Sequence, residues 1–318
     1  MKTPQIRQVI VSILSIAIIV AFVYYLYLNA DQYLRLLQIS VMGVVMLVLL
    51  SLLISLLNGM INVLMFRSLG ANLSQREGFY LAAASTLANQ LPISGGIVTR
   101  SVYLKHRYGL SYTKNFSATL ALFACSIAAY GFLGVAILAY WYFTQHVPPS
   151  PILFIGFGGM AAGLLIFLLP LDKIRIPDFL LRWLDQAVEG WTVIGRNPQL
   201  LAQLLGLQTS TMLLMAARYW LAFHMVSQNV TVGQVILFAS ASILTQLVSF
   251  APGGLGVREA IVGGIAAALG FDAAVSLFAL ALDRLVSTVV IVVLGWISMV
   301  SLGNQIADSP IKPEEQEP

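Results

Sequence analysis

Apolar residues in this chain come in long unbroken runs rather than in the alternating clusters of an amphipathic surface element. Six runs reach about 20 residues, the length a helix needs to cross the hydrocarbon core of a bilayer. They are Gln8–Leu28, Val41–Phe66, Phe116–Phe143, Ile152–Leu171, Gln199–Val226 and Ala273–Leu302. Two further apolar stretches, at about 78–104 and 234–269, are interrupted near their middles. The first break reads Leu91-Pro92-Ile93-Ser94-Gly95-Gly96, and the second Ala251-Pro252-Gly253-Gly254-Leu255-Gly256. Proline and glycine both oppose a continuous helix, so each break predicts irregular backbone followed by a restarted helix. Between 173 and 197 the pattern changes to Phe179, Leu180, Trp183, Leu184, Val188 and Trp191 at helical spacing, with Arg182, Asp185 and Glu189 between them. That predicts an amphipathic helix, either lying on the inner membrane surface or packed against helix ends. Residues 1–307 read as a single transmembrane domain and the Pro/Glu-rich segment 308–318 as a disordered cytoplasmic tail.

Composition agrees with the pattern. Only 9% of the 318 residues are charged and 59% are hydrophobic, where a soluble domain carries roughly a quarter charged residues. The single cysteine, Cys125, excludes a disulfide framework and a thiolate metal cluster. Lys2 and Arg7 precede the first apolar run and no small-residue cleavage site follows it, so that run is expected to remain as the first span.

The distribution of Lys and Arg sets the orientation, because cytoplasmic loops carry the excess of both. If the first broken stretch enters and leaves on the inner side and the second on the outer side, thirteen of the 17 basic residues lie inside, with Arg35 outside and Arg218, Arg258 and Arg284 within apolar stretches. The turns Thr144–Pro151 and Ser227–Gly233, both free of Lys and Arg, then face outward. The predicted fold is an all-α polytopic membrane protein with six transmembrane helices and two re-entrant helical hairpins, both termini cytoplasmic.

The two breaks resemble each other. Gly96 to Arg100 is four residues, as is Gly254 to Arg258, and a glutamine precedes each motif, Gln90 and Gln246. Three spans separate them, an odd number, so the second hairpin enters from the opposite face. An inverted repeat of broken helices is how many secondary transporters build a site at the bilayer midplane. A restarted helix presents unpaired N–H groups and a positive dipole end, both suited to phosphate or carboxylate, and glycine admits a ligand close to the backbone. That the breaks only shape packing stays open.

Ionisable residues inside spans are costly and need a partner or a purpose. Here they are Arg218, Arg258, Glu259, Asp283 and Arg284, with Arg100 at the edge of the first hairpin. Asp283 and Arg284 are adjacent on a helix and so face different partners, Asp283 being expected to pair with Arg258 or Arg218. The set leaves two positive charges, which suits a phosphate-bearing group held by arginine. Closure of all six into structural ion pairs is the alternative. His106, His146 and His224 form no metal motif, and neither a Walker A loop nor a paired-carboxylate motif is present. The sequence therefore predicts neither catalytic residues, metal nor cofactor, and no nucleic-acid partner.

Asn89-Gln90-Leu91-Pro92, Ser94-Gly95-Gly96 with Arg100, and Pro252-Gly253-Gly254-Leu255-Gly256-Val257-Arg258-Glu259-Ala260 resemble the lysylphosphatidylglycerol synthase transmembrane-region (flippase-like) family, over roughly residues 8 to 302. About sixteen residues follow the last span, so the expectation is the membrane module without the aminoacyltransferase domain. The resemblance implies translocation of an anionic lipid or lipid-linked headgroup across a bacterial or archaeal cytoplasmic membrane. Anionic phospholipid, glycolipid and polyprenyl-phosphate-linked headgroups all fit. Gln90, Pro92, Gly95, Gly96, Arg100, Arg218, Gln246, Pro252, Gly253, Gly254, Gly256, Arg258, Glu259, Asp283 and Arg284 are the expected substrate-binding set. Two alternatives remain: a small-solute or ion-coupled secondary transporter, and a non-transporting membrane partner of a lipid- or glycan-modifying enzyme. A homo-oligomer is left open.

Overall fold

The computed structural model describes residues 40–90, 95–146, 150–168, 197–246 and 257–307, and among these every regular element is a helix. The expected span Gln8–Leu28, the amphipathic segment up to 196 and the tail 308–318 lie outside the described residues. In order the helices are α1 (Val41–Ser68), α2 (Gln75–Ala88), α3 (Gly95–Tyr108), α4 (Tyr112–Gln145), α5 (Pro151–Leu168) and α6 (Pro198–Met225). Then follow α7 (Val232–Ser242), extended by a 3-10 turn over Ile243–Gln246, α8 (Val257–Ala268) and α9 (Ala273–Ala307).

Local chemistry sets the ends. Ser74 with Glu77 and Thr231 with Gln234 form capping boxes that open α2 and α7. Asn197 caps α6 just ahead of Pro198, whose missing N–H costs nothing in the first turn. α1 and α8 stop at Gly70 and Gly270, with φ of 93° and 86°. There the next residue's N–H reaches back to the carbonyls of Phe66 (2.9 Å) and Ala266 (3.0 Å), a reversal that glycine makes without steric cost.

α1, α4, α6 and α9 are long and apolar enough to cross a membrane, while α5 and α7 are shorter apolar helices over the described residues. Their side chains are sorted the opposite way from those of a soluble protein. α4 turns Asn115, Ser117, Ala121, Ser126, Gly131 and Gly134 inward and exposes Phe116, Leu120, Phe132 and Tyr140. α9 exposes Leu285, Val289, Val293, Trp296 and Val300. Such a face is a liability in water and is at home in lipid, while small residues inside let backbones approach closely. Gly59 of α1 and Gly78 of α2 show how closely. A Cβ on Gly59 would lie 2.8 Å from Phe79 Cα, and one on Gly78 would lie 2.7 Å from the Gly59 carbonyl oxygen.

Each interrupted stretch is an antiparallel pair of helices. In the first pair, Gly95 lies on Ala88 and Gly96 on Ser85 at the closed end. At the open end the hydroxyls of Tyr103 and Tyr108 donate to Glu77 at 3.0 and 2.9 Å. In the second, the Phe238 and Phe271 rings meet at 6.2 Å near the open end, and Ser242 and Arg258 converge on Tyr219 at the closed end. α2 and α3 have 14 residues each, about 21 Å of helix, and α8 has 12, about 18 Å. A bilayer core is about 30 Å thick, so none of these crosses alone.

α9 relates the two pairs. The open end of the first reaches its C-terminal part through Tyr103 and Gln305, 2.8 Å apart, and the closed end lies near Gly295, packed against Leu87. The second pair runs directly into the N-terminus of α9, and its closed end meets Asp283 through Arg258. The pairs thus open toward opposite ends of α9. Their closed ends reach positions 283 and 295, about 18 Å apart along its axis and on either side of its middle. Each pair sits in its own apolar core: Val63, Phe66, Leu81, Tyr103 and Leu104 around the first, Tyr219, Phe223, Leu237, Phe238 and Val262 around the second.

Candidate functional site: a buried arginine network at the second helix pair

Arg258 is the second residue of α8, where the positive end of the helix dipole disfavours a cation. The structure supplies the compensating anion. Asp283, fully buried on α9, turns one carboxylate oxygen to Arg258 and the other to Arg218 of α6. Arg218 donates to Oδ1 from Nε at 2.9 Å and from Nη2 at 2.6 Å, and reaches the Asp283 carbonyl oxygen at 3.3 Å. Asp283 therefore pairs with both candidate arginines rather than with one. A second pair stands beside it: Arg284 Nη1 donates to Glu259 Oε1 at 2.7 Å. Adjacent residues on α9 thus serve separate partners on α8, as their roughly 100° separation requires. Glu259, in the first turn of α8, also complements that helix's dipole.

Tyr219, next to Arg218, was not singled out by the sequence. The Arg258 guanidinium lies over its ring at 5.1 Å, and its hydroxyl lies 2.7 Å from Ser242 Oγ. One buried side chain so ties α6, α7 and α8 together and gives Arg258 a cation–π face. Only the pairing of an arginine with a tyrosine in an apolar run hints at it.

The first helix pair differs. Arg100 is on α3, and its buried Nε, like that of Arg258, has no hydrogen-bond partner. No salt bridge among the described residues reaches it. Ser85 Oγ on α2, Asn115 Oδ1 on α4 and Ser298 Oγ on α9 are likewise buried without a partner. Asn115 Nδ2 donates to Ser101 Oγ on α3. At the break itself, Asn89 Oδ1 accepts from the Gly96 N–H at 2.8 Å, so one of the N–H groups of the restarted helix is already satisfied. A Cβ on Gly95 would meet the Ala88 carbonyl, and one on Gly96 the Ser85 carbonyl and the Asn89 side chain. The missing side chains of these two glycines therefore admit α2.

Of the expected set, Arg218, Arg258, Glu259, Asp283 and Arg284 are brought together, with Arg100, Gly95 and Gly96 in the other pair. Gln90 lies just past α2, its N–H bonded to the Leu87 carbonyl at 2.9 Å. Pro92, Pro252, Gly253, Gly254 and Gly256 lie outside the described residues, as does the side chain of Gln246.

A polar groove of about 590 Å³ opens at the mouth of the first pair, lined by Ser74, Arg76, Glu77, Tyr80, Arg107, Ser301 and Gln305. Burial works to raise the Glu77 carboxyl, but hydrogen bonds from Ser74, Tyr108 and Tyr103 hold it below its ordinary value. Burial and the Glu77 carboxylate push the Tyr108 phenol up to about 12.

Long apolar helices, outward-facing large side chains and a charged network sealed between helices define a multi-pass helical membrane protein. The sequence comparison is more specific. The family model for the lysylphosphatidylglycerol synthase TM region matches residues 11–295, and the chain belongs to that family. No curated protein matches it.

Proposed function

We propose that this protein translocates an anionic lipid, or the headgroup of a lipid-linked precursor, across the cytoplasmic membrane of a bacterium or archaeon. It does so by binding and conformational change, without catalysis and without a cofactor. The observation that carries this reading is the surplus positive charge, buried or partly buried, that the two opposed helix pairs carry toward their closed ends. Arg218 and Arg258 share one carboxylate, Arg284 and Glu259 neutralise each other, and Arg100 has no salt bridge among the described residues. Two positive charges at that depth call for an anion, and a phosphate-bearing headgroup offers the oxygens that guanidinium groups hold best.

In this reading both helix pairs are re-entrant, the first from the cytoplasm and the second from outside, between six spans with both termini cytoplasmic. The acyl chains stay in the bilayer while the headgroup passes between the two closed ends, which requires a lateral opening between helices. Family membership supports a lipid-related role for the membrane module.

The test is reconstitution in proteoliposomes carrying headgroup-labelled phosphatidylglycerol. Appearance of label in the opposite leaflet, above that in protein-free vesicles, is the expected result. Counterflow of a small solute without lipid movement would establish a secondary transporter instead. No movement of either, with co-isolation of a lipid-modifying enzyme, would establish a non-transporting partner.

A further inference from the structure

Arg100 and Arg258 are matched in sequence, each four residues after the second glycine of a Gly-Gly pair, although Arg100 is the sixth residue of α3 and Arg258 the second of α8, and their electrostatic surroundings differ. Arg258 shares a carboxylate with Arg218: Asp283 is fully buried and spans the two guanidinium groups, one oxygen to each. That is the arrangement in which two non-bridging oxygens of a phosphate would sit. Arg100 has no such carboxylate among the described residues, and Ser85, Asn115 and Ser298 around the same pair each keep a buried oxygen unpartnered. Beside the second pair Tyr219 engages Ser242, Arg284 engages Glu259 and Arg258 Nη2 engages Asp283, although Arg258 Nε, like Arg100 Nε, keeps no hydrogen-bond partner. Arg258 thus meets a carboxylate, shared with Arg218, while Arg100 meets none among the described residues.

From this difference we infer that Asp283 is a built-in counter-anion that competes with the substrate's phosphate group for Arg218 and Arg258. In the conformation described here, the Arg100 half-site is then the one that receives the ligand. The inference rests on the proposed lipid translocation and adds a rule to it. A phosphate group held near Arg100 passes to the second half-site only by displacing Asp283, and the return of Asp283 releases it. Without the internal carboxylate, two adjacent buried guanidinium groups would bind the anion and not let go.

Two variants test this by binding rather than transport, so the outcome is separable from that of the translocation assay. The protein is placed in nanodiscs of phosphatidylcholine containing a minor fraction of phosphatidylglycerol, and retained lipid is counted by native mass spectrometry. Asp283→Asn should raise retained phosphatidylglycerol by about tenfold, the size of one charge-assisted hydrogen bond, while slowing its release. Arg100→Gln leaves no described carboxylate unpaired and should fold normally, yet lose phosphatidylglycerol by about tenfold. A parallel arm replaces phosphatidylglycerol with inorganic phosphate. If Asp283→Asn gains phosphate but not phosphatidylglycerol, the counter-anion role stands and the lipid reading falls. Unchanged retention of both probes in Asp283→Asn would overturn the inference. Should that variant fail to fold, wild-type retention of both probes in Arg100→Gln would overturn it equally.

Discussion

Arg218 and Arg100 should respond very differently to the same substitution. Arg218→Met removes two charge-assisted donors to Asp283 Oδ1, at 2.9 and 2.6 Å, and a third contact to its carbonyl at 3.3 Å. The Arg218 side chain is 8% exposed and that of Asp283 0%, so water cannot replace what is lost. Breaking one partner out of a buried ion pair costs about 3–5 kcal/mol, because the other charge stays behind incompletely satisfied. Arg258 still holds the second carboxylate oxygen, which puts the expected loss near the lower bound, about 3 kcal/mol. Arg100→Met removes no ion pair present among the described residues and takes away a partly buried guanidinium whose Nε has no partner. Its expected effect is within about 1 kcal/mol of zero, or stabilising. Thermal unfolding of both purified variants in one detergent, followed by tryptophan fluorescence, compares them directly. Equal destabilisation by the two would refute the reasoning, since it would mean that Arg100 is already engaged in a pair of equal strength.

Other parts of the structure make further predictions. Gly59→Val should cost about 1–3 kcal/mol by overpacking, because the Phe79 backbone stands 2.8 Å from where its Cβ would be; unchanged melting would show that α1 and α2 do not cross there. Tyr219→Phe should lose only the bond to Ser242, about 1 kcal/mol, whereas Tyr219→Leu also removes the face beneath Arg258 and should cost visibly more. Glu77 has a lowered folded-state pKa, so its stabilisation is present above its ordinary value near 4.5 and is lost as pH falls through the lower one. Tyr108 has a raised one, so its contribution is whole below pH 10 and is lost as pH rises toward about 12; Glu77→Gln should flatten the acid limb of a melting-versus-pH curve. In a Cys125→Ser background, Lys105→Cys and Gln228→Cys should label from opposite faces of sealed vesicles, and labelling of both from one face would sink the opposed-hairpin topology.

The long helices were legible because the bilayer imposes a run of about 20 apolar residues that no tertiary contact can override. The breaks were legible because Pro92, Gly95 and Gly96 interrupt such a run. The partners of the buried charges were only partly so. That Asp283 and Arg284 diverge follows from helical geometry, but that Asp283 serves Arg218 and Arg258 together depends on how α6, α8 and α9 align. Those residues are 65 and 25 positions apart in the chain, and nothing local fixes that register. Tyr219 looked like any core aromatic until Arg258 was placed above it. Gly95 and Gly96 show the converse. Their motif reads as room for a ligand, yet the space beside their α-carbons is filled by α2, a close approach that only the folded hairpin reveals. Asn89 belongs to the same motif, and its cap on Gly96 exists only once the chain has turned back.

The central claim is that buried, incompletely neutralised arginines carry a lipid phosphate across the membrane. Initial rates of headgroup-labelled phosphatidylglycerol movement in proteoliposomes, for wild type and Arg100→Gln at matched protein content, test it most directly. Protein-dependent movement that is lost in Arg100→Gln, with phosphatidylcholine unmoved in both, is the predicted result. Equal rates for the two proteins, or movement of both lipids alike, would contradict it.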